Sequence, residues 1–409
     1  MMMRDWLCPD AAQAARGLRL SRRHALLGLT AAFTLGRSAM ALAAPATEQR
    51  LVVVLMRGAL DGMSAVQPYG DPGFVALRGP LALPEPGEAG GVLDLGGKFG
   101  LHPALPGIHG MYGRGEALLV HAVAGHYRSR SHFEAQDYLE SGADQRLDSG
   151  WLNRAVSVMP SRPGRDLALS VGLSAPLLLR GSATVQAWAP DHFAQPSADL
   201  YQRLLAISLR DPVIGPAMAE GIKQRGFDAG ALQGQAGDPA HDRSFEALCG
   251  SAGHLLAQPG GPRVAALEIG GWDTHAAQVK RLQTALGQLD AGLVALQAGL
   301  GAAWANTVVL AVTEFGRTAR INGTNGTDHG TAGVSFLVGG AVAGGRVRTD
   351  WPGLASSALF ENRDLAPTTD LRSVIKGVLV DHLGLRAASM NVILPGSQDA
   401  PPLSNLVRT

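Results

Sequence analysis

Cysteine is almost absent from this 409-residue chain. Its two cysteines are Cys8 and Cys249, and Cys8 lies in a leader-like segment, so the rest of the chain cannot form an intramolecular disulfide. The same shortage excludes a thiolate metal site. Stability must therefore come from a hydrophobic core, which a chain of this length is large enough to bury.

A strong charge bias is also lacking, since the formal net charge is +1. Removing residues 1–43, which contain six Arg and two Asp, leaves 29 basic and 32 acidic residues, a formal net charge of −3. No basic patch or aromatic stacking motif occurs, so the sequence does not indicate a nucleic-acid-binding protein. No second long apolar segment follows the N-terminal one, so we expect a mature protein without a stable membrane span.

The N-terminal segment has the pattern of a twin-arginine signal peptide. Arg22 and Arg23 precede an apolar run at residues 25–35, and small residues at 41–43 offer a peptidase site after Ala43. We expect the twin-arginine export machinery to carry the folded protein, and the mature chain to be periplasmic or secreted. A retained membrane anchor is the alternative, although the apolar run is too short to span a bilayer.

Three short apolar runs indicate the fold class. Residues 51–56, 264–269 and 308–312 are continuous apolar segments of the kind that strands buried on both faces require. A long amphipathic helix at 276–304 connects the second of these strands to the third as a βαβ crossover. The sequence therefore predicts one α/β domain over residues 44–409, with a mainly parallel central sheet sandwiched by helices.

Weaker patterns complete the domain. Strands are predicted at 117–122 and 334–338, and short helices at 104–112, 133–139 and 370–383. Residues 166–171 and 185–189 are either a strand pair or loop edges. The segment around 190–258 has helical spacing and is predicted to form a helical insert.

Polar side chains follow the three apolar strands at the point where each strand ends. In an open parallel sheet the carboxyl ends of the strands form the ligand crevice, so these side chains should lie near one rim. A loop rich in Gly and Asn adds two more after the third strand. The polar groups expected at this rim are Asp61, Asp273, His275, Glu314, Asp328 and His329.

Carboxylate and imidazole groups suit zinc, manganese or magnesium, so we predict a divalent metal at this rim. Gly270 and Gly271 suggest that the chain turns before Asp273, which leaves the relative direction of Asp273 and His275 open. For Glu314 and Arg317 the alternative is an ion pair that fixes the loop, because buried carboxylates are normally paired.

The segment after the second strand combines basic residues with a helix start. Ser131 and Glu134 form a capping-box pattern, which predicts that a helix begins here. Backbone N–H groups at such a helix start attract anions, and Arg128 and Arg130 lie beside it. The alternative is that Ser131 is only an N-cap and the arginines are surface charges.

These motifs, taken together, resemble one family, the exported bacterial domain of unknown function 1501, which looks like a branch of the alkaline phosphatase and sulfatase superfamily. The resemblance covers nearly the whole mature chain. The motifs are, in chain order, the twin-arginine leader, Arg57-Gly58-Ala59-Leu60-Asp61-Gly62, Ser131-His132-Phe133, Gly271-Trp272-Asp273-Thr274-His275, Thr313-Glu314-Phe315-Gly316-Arg317-Thr318 and Asp328-His329-Gly330.

The resemblance implies an alkaline-phosphatase-like fold and a metal-dependent hydrolase of phosphate or sulfate esters. It places Ser131, or Ser129, at the position of the nucleophile, and we expect Arg128, Arg130 or Arg317 to hold a small anionic substrate. The predicted metal ligands are Asp61, His132, Asp273, His275, Glu314, Asp328 and His329.

Phe315 departs from the superfamily pattern, because it stands where an imidazole is common. Either His132 substitutes for that imidazole, or one metal binds alone, or the site has decayed. A non-catalytic periplasmic binding or assembly protein that retains the fold is therefore the alternative function. A formylglycine sulfatase and a nucleotide-binding Rossmann protein are both disfavoured, because neither the Cys-x-Pro-x-Arg motif nor Gly-x-Gly-x-x-Gly occurs where it is needed.

Overall fold

The computed structural model describes residues 48–160, 167–172, 174–189 and 244–408. The predicted signal peptide and most of the predicted helical insert lie outside these residues. Within the described ranges, no helix is both long and apolar enough to cross a membrane.

A nine-stranded sheet dominates the described part of the chain, in the order β11-β5-β10-β9-β1-β8-β6-β7, with β12 beside β5. Its strands are β1 (Arg50–Met56), β5 (Ala117–Ala124), β6 (Ala168–Val171), β7 (Val185–Trp188), β8 (Val264–Ile269), β9 (Thr307–Thr313), β10 (Gly333–Val338), β11 (Arg346–Arg348) and β12 (Thr369–Asp370). A small second sheet contains β2 (Val66–Gln67), β4 (Gly100–Leu101) and β3 (Leu93–Asp94).

The register of the three central strands positions the candidate site. β1 lies between β8 and β9 and is parallel to both, so Met56 pairs with Ile269 on one side and with Thr313 on the other. The three strands therefore end side by side. Among the described strands of the nine-stranded sheet, only β10 runs antiparallel to its neighbours, β9 and β5, so the prediction of a mainly parallel sheet is confirmed.

Nine α-helices are present in the residues described. They are α1 (Gly62–Ala65), α2 (Phe74–Arg78), α3 (Pro106–Gly113), α4 (His132–Ser141), α5 (Trp151–Val158), α6 (Phe245–Ala257), α7 (Gln278–Leu300), α8 (Leu371–Gly377) and α9 (Met390–Ile393). The predicted 370–383 helix is divided, because a π-helical turn, Val378–His382, follows α8.

The helices cover both faces of the sheet. Alternate residues of β1 point to opposite sides: Val52 and Val54 pack in one core cluster with the leucines of α7, and Leu51 and Val53 pack in another with residues of α8 and α9. The predicted leucine stripe of α7 is buried as expected, and burying each leucine side chain stabilises the fold by about 1.5–3 kcal/mol. The predicted sandwich of helices around the sheet is therefore confirmed.

Candidate metal centre

Three histidines from different segments point their Nε2 atoms at one place beyond the ends of β1, β8 and β9. Nε2 of His329 lies 3.0 Å from Nε2 of His132 and 2.9 Å from Nε2 of His275. Oδ1 of Asp273 lies 3.0 Å from Nε2 of His275, 3.5 Å from that of His329 and 3.7 Å from that of His132. Three imidazole nitrogens thus lie within 3.7 Å of one carboxylate oxygen.

Each of these imidazoles has an acceptor behind it for its other nitrogen. Nδ1 of His132 lies 2.7 Å from Oε1 of Glu314, and Nδ1 of His275 lies 3.1 Å from Oδ1 of Asp328. Nδ1 of His329 lies 2.9 Å from the carbonyl oxygen of Arg130. A carbonyl or an ionised carboxylate can only accept, so the proton of each neutral ring belongs on Nδ1 and the Nε2 lone pairs face one another.

This donor set fits a divalent cation. Metal-bound histidines usually donate their second N–H to a carboxylate or a carbonyl, which is the arrangement found at all three rings. Ligand atoms about 2.0–2.1 Å from a tetrahedral zinc ion lie roughly 3.3 Å apart, close to the separations observed here. His132, Asp273 and His329 alone already place one ligand atom each within 4.8 Å of the others.

The centre is open on one side. The side chains of Asp273 and His275 are 49% and 43% exposed, whereas Glu314 behind His132 is completely buried. A small molecule can therefore approach the cluster from solvent.

Glu314 and Asp328 were predicted as ligands, but the structure places both behind a histidine. Oε1 of Glu314 accepts hydrogen bonds from the backbone N–H of Gly58 (2.8 Å) and the amide of Gln136 (3.3 Å), besides His132. Burial alone would raise the pKa of Glu314, but these hydrogen bonds hold it below its usual value. Both carboxylates orient imidazoles, because the backbone places Glu314 at Nδ1 of His132 and Asp328 at Nδ1 of His275, and not at the Nε2 atoms.

The charges around Asp273 favour its ionised form. Burial opposes this, but the guanidinium of Arg317 and the neighbouring imidazoles lower the pKa of Asp273 below its ordinary range. The hydrogen bond to Glu314 raises the pKa of His132, against the effect of burial. Burial lowers the pKa of His329, which keeps its Nε2 lone pair available.

The arginines that were predicted to hold an anion have other partners. Nη1 of Arg317 donates to Oδ1 of Asp273 at 2.9 Å, and the Arg317 side chain is completely buried, so it holds Asp273 in place. Arg128 donates to the carbonyl oxygens of Gly125 and Tyr127 in its own loop. The guanidinium of Arg317 is engaged through Nη1, whereas its buried Nε and Nη2 have no hydrogen-bond partner among the described residues. Arg128 is also engaged through Nη1.

Arg130 is likewise engaged, in ion pairs with Glu361 at 2.6 Å and Asp364 at 2.8 Å. Arg363 is not among the predicted site residues, and its Nη2 donates to the carbonyl oxygen of His329 at 2.7 Å. Its side chain is partly exposed. Nothing in the sequence marks Arg363, because it lies on a distant loop.

Asp61, also predicted as a ligand, is not brought to the cluster. It caps the short helix α1 and pairs with both terminal nitrogens of Arg78, and both side chains are buried. Burial would raise the pKa of Asp61, but Arg78 and neighbouring hydrogen-bond donors lower it. Its oxygens thus accept hydrogen bonds from Arg78, Gln278 and Ser64, and no local sequence pattern predicts the pairing with Arg78.

Ser131 lies at the N-cap of α4, directly before His132, as predicted. Its side chain does not make the expected cap hydrogen bond, and Glu134 of the capping-box pattern pairs with the hydroxyl of Tyr127. The helix therefore does not use the Ser131 hydroxyl. Ser129 is more exposed, on the preceding loop.

Phe315 forms an apolar wall behind the histidines. Its ring centroid lies 4.9 Å from that of His132 and 5.1 Å from that of His329, and it packs with Ala59 and Ala135. His132 occupies the cluster from a different segment, which is one of the outcomes expected from the departure at Phe315. The aromatic ring fixes the imidazoles by packing.

The fold and the site together define an α/β protein with a histidine and aspartate cluster at the strand ends that can hold a divalent cation. The chain belongs to the family described as Protein of unknown function (DUF1501), whose model matches residues 123–394. The predicted family is therefore confirmed. A search among curated proteins finds no match.

Several solved structures are similar to this chain. One is phosphonate monoester hydrolase of Agrobacterium radiobacter, at 10% identity and a TM-score of 0.34, over 82% of this chain and 74% of that one. Another is the C-terminal periplasmic domain of EcEptC from Escherichia coli in complex with Zn, at 8% identity and a TM-score of 0.34, over 72% and 74%. A third is BT1596, a 2-O GAG sulfatase, at 11% identity and a TM-score of 0.32, over 72% and 64%. This chain thus spans about two thirds to three quarters of their lengths.

Proposed function

We propose that this protein is an exported metal-dependent hydrolase of phosphate or sulfate esters, with its cation held by His132, Asp273, His275 and His329. The observation that carries the proposal is the convergence of three Nε2 atoms and one carboxylate oxygen, with an acceptor behind every imidazole. Export is proposed from the twin-arginine leader, with a periplasmic or secreted mature chain.

Zinc is the metal we propose first, ahead of manganese and magnesium. Three of the four donors are imidazole nitrogens, which suit zinc, whereas magnesium prefers oxygen ligands and retains several waters. His132, Asp273 and His329 are enough to hold a single ion, with His275 proposed as a fourth ligand, and the carboxylate of Asp61 is committed to Arg78.

A bound divalent cation would supply a Lewis acid that neutralises ester oxygens and lowers the pKa of an attacking hydroxyl. In the proposed reaction Ser131 attacks the phosphorus or sulfur atom, the alcohol leaves, and water then hydrolyses the serine ester. Arg317 keeps Asp273 ionised and oriented, and Glu314 orients the ring of His132 so that its Nε2 faces the cation site. Arg363 is the arginine we propose for contact with the anionic group, because it is partly exposed next to His329.

A second function has one observation in its favour. Arg128 and Arg130 both contact groups within the protein, and Arg317 is buried beside Asp273, so each of the three arginines first expected to hold a substrate has a partner in the protein. A protein that binds a cation or a small anion without turning it over would not need them. This is the alternative of a non-catalytic binding or assembly protein.

The deciding experiment combines metal analysis of the purified mature protein with assays on an aryl phosphate and an aryl sulfate. We expect about one zinc per chain and turnover that a chelator abolishes and zinc restores. A protein without bound metal and without turnover under any divalent ion would remove the proposed function.

Two variants separate the hydrolase from the binding protein. Asp273→Ala should lose both metal and activity, whereas Ser131→Ala should keep the metal and lose the activity, with Ser129→Ala as the matched control that keeps both. If Ser131→Ala retains full turnover, Ser131 is not the nucleophile. If the wild type binds zinc but hydrolyses neither ester, the binding protein is favoured.

A further inference from the structure

The side chain of Gln278 contacts both loops that carry the candidate ligands. Gln278 is the first residue of α7, and it is buried. Its Oε1 accepts hydrogen bonds from the hydroxyls of Thr274 at 3.0 Å and Thr327 at 2.7 Å. Thr274 is adjacent to His275, and Thr327 lies two residues before His329, so one amide oxygen joins the two segments.

The other end of the same amide contacts the residues that follow β1. Nε2 of Gln278 donates to Oδ2 of Asp61 at 2.5 Å and to Oγ of Ser64 at 3.2 Å. The carboxylate of Asp61 is paired with Arg78 and can only accept, so the nitrogen must face it and the oxygen must face the threonines. The Asp61–Arg78 pair therefore fixes which way the amide points.

The amide makes four hydrogen bonds, which is the full capacity of a glutamine side chain. Thr274, Thr327 and Asp61 are all buried, so water does not replace any of these partners without a rearrangement of the core. Inside a protein such a satisfied polar group specifies one geometry, whereas a partly satisfied one is costly. The side chain of Gln278 therefore helps to set the distance between the two loops on their buried side.

Backbone hydrogen bonds in the same place support the geometry. The N–H of Gln278 donates to the carbonyl oxygen of Asn325 at 2.9 Å, and the N–H of Thr327 donates to that of Thr274 at 3.2 Å. Ala277 adopts a left-handed conformation, with φ of 49°, which turns the chain from the ligand loop into α7. The start of the helix and the two loops are thus one connected unit.

We propose that Gln278 is a positioning residue for the cation site. It fixes the loop with Asp273 and His275 relative to the loop with His329, so that their ligand atoms meet at one point. The inference rests on the part of the proposed function that concerns cation binding and does not require ester hydrolysis. Groups that support ligands without touching the metal typically change metal affinity 10-fold to 100-fold.

The test measures zinc affinity of the mature protein by calorimetry with a competing chelator, using zinc alone as the probe. Gln278→Leu removes both ends of the connection and should raise the zinc dissociation constant about 10-fold or more. Thr327→Val is nearly isosteric and removes only the hydrogen bond between Gln278 and the loop of His329. It should raise the zinc dissociation constant by a smaller factor. The visible spectrum of the cobalt-substituted protein should change in both variants, because the ligand arrangement changes.

Asp290→Asn is the matched control, since Asp290 is a buried side chain of the same helix that instead accepts from the N–H groups of Gly107 and Ile108. It should lower thermal stability and leave zinc affinity and the cobalt spectrum unchanged. Unchanged zinc affinity in folded Gln278→Leu overturns the inference. If that variant does not fold, unchanged affinity in Thr327→Val overturns it. A wild type that does not bind zinc overturns the proposed function as well, which distinguishes the two failures.

Discussion

Nδ1 of His132 lies 2.7 Å from Oε1 of Glu314, and the Glu314 side chain is completely buried at the end of β9. The carboxylate therefore fixes the ring so that its Nε2 faces His329 and Asp273. This relationship gives Glu314 an orienting role in place of the ligand role predicted from the sequence.

Replacing Glu314 tests that role. Glu314→Gln keeps the shape and an acceptor oxygen but removes the charge that pairs with His132, so we expect zinc affinity to fall 10-fold to 100-fold with one zinc per chain retained. Calorimetry measures the zinc affinity, and metal analysis measures the zinc content per chain. Glu116→Gln, which removes the carboxylate of a surface ion pair with Arg114, is the control and should bind as the wild type does. Complete loss of zinc would instead indicate a direct ligand.

Asp328→Asn should have a smaller effect than Glu314→Gln. The two carboxylates contact equivalent nitrogens of His275 and His132, but the Asp328 side chain is 53% exposed, so water screens its charge. We expect zinc affinity to fall by about fivefold or less. If the two variants, measured side by side, lose zinc affinity equally, burial of the carboxylate does not determine how strongly it supports its histidine.

Asp61→Asn separates a structural acid from a metal ligand. The variant leaves the buried guanidinium of Arg78 without its counter-charge, and breaking a buried pair typically costs about 3–5 kcal/mol of unfolding free energy. Urea unfolding should show this loss, while metal analysis still finds one zinc per chain. Adding Arg78→Met to Asp61→Asn should recover part of the stability, because the unpaired charge is removed. A variant that folds stably but loses its zinc would restore Asp61 as a ligand.

Three buried histidines away from the cluster should make the fold sensitive to acid. Burial lowers the pKa of His102, His121 and His382 from 6.5 to about 4. The unfolded chain binds these protons more readily, so stability is full above pH 6.5 and falls as the pH drops toward 4, by on the order of 3 kcal/mol for each histidine. Urea unfolding in the presence of a chelator, at several pH values between 7 and 4, measures the slope of the unfolding free energy against pH.

His121 offers a direct check of that slope. Its Nδ1 accepts the N–H of Ala122 at 2.8 Å while Nε2 contacts the carbonyl oxygen of Val66 at 3.0 Å, so a second proton on the ring would break the first bond. His121→Gln should reduce the acid sensitivity by about one histidine's share. His126→Gln changes an exposed ring and should not alter it. An unchanged slope in His121→Gln would contradict the prediction.

Apolar patterning was enough to predict most of the fold. β1, β8 and β9 lie where continuous apolar runs were recognised, and α7 lies where leucines recur at helical spacing. The segments predicted at 166–171 and 185–189, left open between strands and loop edges, form the parallel pair β6 and β7. The antiparallel direction of β10 was not evident, because a buried strand has the same composition in either direction.

That imidazoles and carboxylates follow the parallel strands is evident from the amino-acid sequence, because strand ends and residue types can be read along the chain. Which of these side chains face the cation site depends on the folded arrangement. His132 comes from a separate helix, Glu314 and Asp328 stand behind histidines, and Asp61 turns to Arg78. The direction of a side chain beyond a strand end depends on loop turns and on partners far away in the chain, and neither has a local pattern that a sequence displays.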